Sequence, residues 1–388
     1  MAETTTLSWS DIPPELARLV LRRLPAHVDR VRFAAVCPQW RVAAGQAALP
    51  PPLPLLAISD GTLYSLPESK RFHFPGWAGF KYACGNWLVF SREDECFLWD
   101  PFSNATMTLP ALSRVRVRFA DNEIDESLDE KDLTVHDVLV CSPHLIAGLV
   151  RFRFSSQIAV CQPGAASWWS VQLDEGYPWS PYLAGIAVHQ ERLYAFDNGM
   201  GNLLAVDISF DNSTGDPWVS RAQKVINGFH DPESDPVLWW THYYFFLQKY
   251  LVVSSGGLLM VKRKSYRKRL NSGHGPVAAE LSKFEVFKAD LEQAQWTRVT
   301  TIGNDQLMFP PQYRPSSSSS SSFICASDHD MLGDRIVFLE DDGDVSGYNN
   351  EGSASYCVYD MRDGKFSTPL PRVSWNPALK ATWLFPQG

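Results

Sequence analysis

The cysteines are the residues of this chain best suited to chemistry, and their spacing predicts that they do none. Paired as Cys-x-x-Cys they would hold zinc, and as a regular even set they would form a disulfide framework. Cys37, Cys84, Cys96, Cys141, Cys161, Cys325 and Cys357 are odd in number and scattered, with no such pair. They read as buried thiols of a reducing compartment. His189, His230, His242 and His329 are isolated, the usual pattern of structural histidines. There is no Gly-x-Ser-x-Gly elbow, no Walker-type loop and no His-Glu-x-x-His, and the Gly-Met-Gly-Asn at Gly199 falls in a predicted hairpin turn. The residues therefore predict no catalytic centre, no cofactor and no metal.

What remains is chemistry of recognition. Residues Asp121 to Asp132 carry seven carboxylates against one lysine, and Lys262 to Arg269 carries six bases in eight residues. Both read foremost as solvated loops, the second following the strand from Gly256. The basic run has a rival reading as a nuclear-import signal or a reader of anions. The aromatic run from Trp239 to Phe246 reads as buried strand packing, with a ligand pocket as the alternative. Ser316 to Ser322 is an unbroken serine loop. A net charge of −8 argues against a general nucleic-acid surface. No apolar run approaches the ~18–20 residues of a membrane span, and the amino terminus has no signal-like apolar region.

The most specific pattern is apolar. Leu16, Leu19, Val20 and Leu24 recur at helical spacing, with Pro13 and Pro14 suited to a first turn and Pro25 to a stop. A second helix places Val28, Val31, Ala35 and Val36 on one face and ends near Pro38. A third carries Trp40, Val42 and Ala43. Three such helices (residues 1–48) bury little by themselves, which implies that something else covers the apolar face. Residues 49–56, with four prolines, read as a stiff, extended spacer.

From 57 to 388 the helical period gives way to short strands and turns. An aromatic content of 13%, with 14 Trp, suits pleated faces. A strand ending in an acidic or polar residue, a turn and an aromatic or apolar strand recur from Leu63, Phe97, Ile158, Leu203, Phe284 and Tyr356. Six copies over residues 57–386 give about 55 residues each, a little more than the ~40–50 of a four-stranded propeller blade. The prediction is an all-α head followed by a closed all-β propeller of six or seven blades; two β-sandwiches are the alternative.

Two resemblances sharpen this reading. Ile12-Pro13-Pro14-Glu15, the stripe Leu16, Val20, Leu24 and the closing Val36-Cys37 with Trp40-Arg41 resemble the F-box, isoleucine replacing the usual leucine at the opening. GNWLVF from Gly85, LWDPFSNATMTLPAL from Leu98, LYAFDNGMGNLLAVD from Leu193, YLVVSSGGLLMV from Tyr250, DRIVFLEDD from Asp334 and the terminal TWLFP resemble the plant domain of unknown function 295. That resemblance implies a kelch-like propeller with no catalytic residues to carry over. Together they imply a non-enzymatic substrate receptor: the F-box docks on a Skp-type adaptor, and through it a cullin, while the propeller binds an unidentified target protein. Pro13, Leu16, Val20, Leu24 and Val36 are the expected adaptor contacts, Trp40 and Cys37 belonging equally to the module's own core. The expected location is intracellular, in nucleus or cytoplasm. The rival is a propeller that binds or hydrolyses a small molecule or glycan, its helical start merely structural.

Overall fold

The computed structural model describes residues 9, 12–92, 95–118, 134–152, 155–171, 183–197, 199–229, 243–254, 256–268, 281–309, 323–326, 333–341, 354–367, 373–376 and 378–386. Three helices come first: α1 (Pro14–Arg22), α2 (His27–Val36) and α3 (Pro38–Gln46). Proline opens α1 and α3, where its missing N–H costs nothing. The Cys37 sulfur caps α3 by accepting from the Trp40 N–H at 3.4 Å. The shared core is Ala17, Leu21, Phe33 and Ala43, with Leu24 and Trp40 packed against it. Phe33 and Trp40 stack at 4.4 Å. On α2 the buried residues are Arg30 and Phe33. The face predicted from Val31, Ala35 and Val36 is instead exposed, because Phe33 takes the interior position.

The proline-rich segment is extended, but it is not a free spacer. Pro52, Leu53 and Pro54 are buried, Leu53 forms a parallel bridge with Ala26, and the first strand already begins at Leu55.

Six sheets follow among the described residues, each one blade of a propeller. Blade one contains β1 (Leu55–Ile58), β2 (Thr62–Ser65) and β3 (Lys70–His73). Blade two is β4 (Tyr82–Cys84), β5 (Trp87–Ser91), β6 (Cys96–Asp100) and β7 (Ala105–Leu109). Blade three holds β8 (Val115–Arg118), β9 (Thr134–Ser142), β10 (Leu145–Phe152), β11 (Ser155–Cys161) and β12 (Trp168–Val171). There β8 adds a fifth strand, parallel to β12, at the outer edge. Blade four is β13 (Leu183–His189), β14 (Arg192–Asp197), β15 (Leu203–Phe210) and β16 (Pro217–Ile226). Blade five is β17 (Tyr243–Ser254), β18 (Gly257–Lys268), β19 (Leu281–Asp290) and β20 (Gln295–Val299). Blade six contains β21 (Asp305–Phe309), β22 (Phe323–Ala326), β23 (Arg335–Asp341), β24 (Ala354–Asp360) and β25 (Lys365–Ser367), with β21 inserted parallel to β23.

The last strand, β26 (Ala381–Leu384), returns to pair with β1 and completes blade one from the inside. The innermost strands β26, β4, β9, β13, β17 and β22 succeed one another around the ring. Burial falls from the inside outwards. Strands β26 and β1 are wholly buried, whereas β25 is exposed along its length. Closure through the two ends of the domain joins the first and last strands in one blade, and the inner edge of each blade is a single strand facing its neighbours around the ring.

Each of the six recurrent hairpins lies on the outer side of one blade: β2–β3, β6–β7, β15–β16, β19–β20 and β24–β25 are the outermost pairs, and β11–β12 lies one strand in from the added β8. The acidic residue in the pattern has a physical role in several of them. Asp100 accepts from the Phe102 N–H at 2.9 Å and from Asn86 Nδ2 at 2.8 Å. Asp211, Asp290 and Asp360 bond the N–H two residues on in the same way. A carboxylate two positions before a free N–H mimics a backbone turn and fixes the reversal.

The basic run corrects one expectation. From Lys262 to Lys268 it is not a loop but the second half of β18, and Lys262 and Arg263 are among the most buried charged residues of the chain. The acidic run from Asp121 to Asp132 and the serine run from Ser316 to Ser322 lie outside the described residues, as do Trp239 to His242.

Candidate functional site: an exposed apolar face on the helical head

Helix α1 separates its apolar residues into two sets. Ala17 and Leu21 point into the three-helix core. Leu16, Leu19 and Val20 remain 52%, 57% and 45% exposed on a neighbouring stripe. Val31, Val36 and Val42 are likewise exposed on the other two helices. Leu16, Leu19 and Val20 fall within five residues of one helix, and single exposed aliphatic side chains are ordinary whereas neighbouring ones make this stripe the candidate site.

Of the five residues expected to make the contact, Pro13, Leu16, Val20 and Val36 are exposed. Leu24 is not with them. It is half-buried against Ala17, Leu21, Phe33 and Ala43, because α1 ends at Arg22 and Leu24 lies past the helix, where the chain leaves the stripe and packs over the core. Leu19 replaces it on the surface; its signal was its place three residues after Leu16. Trp40 and Cys37 belong to the module's interior and its helix cap.

The opposite side of the head rests on the propeller. Val28 packs with Leu55, Leu63, Phe80 and Leu88 in the seam of blades one and two. His27 meets the Phe102 ring edge-on at 5.0 Å, and the Arg32 guanidinium lies 5.7 Å from the centre of the Phe72 ring. Burial, with the nearby Arg30 charge adding to it, lowers the His27 pKa and keeps the imidazole neutral. The head therefore presents α1 outward while α2 is seated.

The other groups singled out by chemistry have structural partners. Asp197 closes the turn at Gly199 by accepting from the Gly199 N–H at 2.9 Å and from Asn202 Nδ2 at 2.9 Å. Lys249 reaches across from β17 to the Gly199 carbonyl. Lys262 Nζ sits 3.8 Å from the centre of the Phe229 ring, and the Arg263 guanidinium 4.4 Å from that of Phe338. Lys264 pairs with Glu285 at 3.2 Å. Burial pushes the thiols of Cys84 and Cys96 up to about 11, so neither is a thiolate at neutral pH. Among the described residues no group of three or more His, Cys, Asp or Glu could hold a metal ion, and no helix is long and apolar enough to cross a membrane. His189 ends β13; His230, His242 and His329 lie outside the described residues.

Comparison with known proteins separates the same two regions. The model of the F-box domain matches residues 9–46, and that of the KIB1-4 beta-propeller matches residues 56–360. Two relatives come from Arabidopsis thaliana. At4g22660, named for the F-box, is 26% identical over 149 residues, covering 34% of this chain and 37% of its own. F-box protein SKIP23 is 29% identical over 98 residues, covering 25% of this chain and 22% of its own. The chain thus spans about a third and about a fifth of the length of the relatives it matches. A solved structure of a Lactobacillus plantarum protein covers 86% of this chain and 99% of its own, at 10% identity and a TM-score of 0.39, too loose a likeness to carry an argument.

Proposed function

This chain belongs to the KIB1-4 beta-propeller family and carries an F-box domain ahead of its propeller, and from that premise we propose that it is the substrate-recognition subunit of a Skp-cullin-F-box ubiquitin ligase. The exposed aliphatic face of α1 carries the proposal. Leu16, Leu19 and Val20, together with the exposed Pro13, Val31, Val36 and Val42 of the same head, insert between helices of a Skp-type adaptor, which supplies the cover that the three-helix head lacks. The adaptor joins the receptor to a cullin, and the propeller binds a target protein. The receptor contributes no reacting group. It raises the effective concentration of the target's lysines near the ubiquitin-charged enzyme, an entropic contribution. The proposed location is the nucleus or cytoplasm, in keeping with the free thiols.

Co-purification of the full chain with a Skp-type adaptor tests this reading. Leu16→Arg with Leu19→Arg places two unpaired charges in the contact and should weaken binding by about a hundredfold or more. Both positions are exposed in the free chain, so its melting temperature should not change. Undiminished adaptor binding by the double variant would remove this face from the interface.

A further inference from the structure

We infer that Arg30 is a positioning residue: it locks the helical head to the propeller, so that the adaptor face and the target-binding ring hold one fixed relation. The consequence for ubiquitin transfer rests on the ligase reading; the lock itself rests on geometry.

Arg30 lies near the middle of α2 and is only 9% exposed. Its Nε donates to the Leu24 carbonyl at 2.8 Å, just beyond the end of α1. Its Nη1 donates to the Pro50 carbonyl at 2.7 Å, on the segment leading to the propeller. One planar guanidinium thus ties together the chain that enters α2 and the chain that leaves the head. The fork geometry lets arginine bridge two fixed acceptors at once, which the single ammonium of lysine does less well.

The same crossing is fastened a second time. The Leu53 N–H donates to the Pro25 carbonyl at 2.9 Å, Ala26 and Leu53 form a parallel bridge, and Leu53 is 1% exposed. Prolines at 50, 51, 52 and 54 restrict the backbone between these ties. Along the same helix, His27, Val28 and Arg32 engage Phe102, the seam of blades one and two, and Phe72. A hinge needs a few residues free to change φ and ψ. Here the candidate hinge is pinned by its own carbonyls, and the helix beside it is seated on the ring.

A flexible tether would let a bound target sample a wide volume, and its effective concentration would fall with reach. A locked mount restricts the sites that can meet the charged enzyme. Arg30 therefore selects which lysines are modified without touching the adaptor, the target or ubiquitin.

The test uses the full chain as wild type, Arg30→Lys and Arg32→Glu. Hydrogen exchange over residues 47–56 and small-angle scattering read the mount, and adaptor affinity is measured separately. In a reconstituted ligase the receptor itself serves as the ubiquitin acceptor, its modified lysines mapped by mass spectrometry. Both variants should bind the adaptor within about twofold of wild type. Exchange over 47–56 should rise about tenfold, and modification should spread from a few lysines to many. Unchanged exchange and scattering in both variants would overturn the lock. A loosened mount with an unchanged lysine pattern would overturn the positioning role. Should the wild type fail to bind a Skp-type adaptor, the ligase reading falls and the positioning role with it, while the exchange result still decides the lock. Should Arg30→Lys not fold, Arg30→Gln, which keeps a donor for only one of the two carbonyls, carries the same test, and Arg32→Glu, altered at a side chain 55% exposed, reads the seating of α2 on the ring.

Discussion

Leu16, Leu21 and Leu24 are the same residue on or beside the same helix, and their surroundings assign them different work. Leu21 is fully buried in the head, Leu24 is half-covered against that core, and Leu16 stays in water. Only the last can serve a partner without loss to the fold. The cysteines show the converse, a reactive group silenced by position. Cys84 and Cys96 are buried between strands, and loss of solvation raises each thiol from about 9 to about 11. The sign follows: the folded state holds its protons to higher pH than the unfolded state does, so this contribution to stability is intact below about pH 9 and is lost as pH rises towards 11. Melting temperature should therefore drop between pH 9 and 11. In a Cys84→Ala, Cys96→Ala variant the drop should be smaller; an identical alkaline decline in the variant would assign it to other groups.

At the scale of the element, β18 decides the meaning of the basic run. Six bases in eight residues suggest water, yet the strand alternates its side chains between the faces of blade five, and both faces are covered. Lys262 lies over Phe229 and Phe287 towards blade four, while Arg263 lies over Phe284 and Phe338 towards blade six. Cations against ring faces in a dry seam are a packing device between blades. Lys262→Glu should then destabilise the propeller by about 3 kcal/mol or more, since a buried carboxylate would face ring quadrupoles of the wrong sign. Chemical denaturation measures this. A loss below ~0.5 kcal/mol would return Lys262 to the solvated surface.

The whole molecule depends on a contact between its ends. Strand β26 pairs with β1 across more than three hundred residues, and Trp383 donates its indole N–H to the Phe309 carbonyl at 3.0 Å while meeting Tyr356 edge-on. Trp383 is 2% exposed, so Trp383→Ala leaves both a cavity and an unpaired carbonyl. The expected cost is about 3–5 kcal/mol. Thermal unfolding of the full chain checks it, and a variant melting like wild type would show that blade six and blade one close without this side chain. A ring closed by its most distant strands also predicts slow folding, because loop closure must precede the reward.

The outer half of every blade was legible in the sequence, since a hairpin is a local object. Its turn residues, its capping aspartate and the alternation of its strands lie within about twenty residues of one another. The three helices were legible for the same reason, through proline starts, proline stops and the spacing of Leu16, Val20 and Leu24. Only the tertiary structure decided which of these leucines were covered, because coverage depends on Phe33 and Ala43 from the other helices. It also decided that the proline segment is pinned, that β8 and β21 add fifth strands, and that Lys262 and Arg263 are interior. Each of these is a relation between residues far apart in the chain, for which local pattern carries no signal. The expected propeller of six or seven blades closed at six, the number at which the inner strands of these particular sheets meet around the ring and β26 reaches β1.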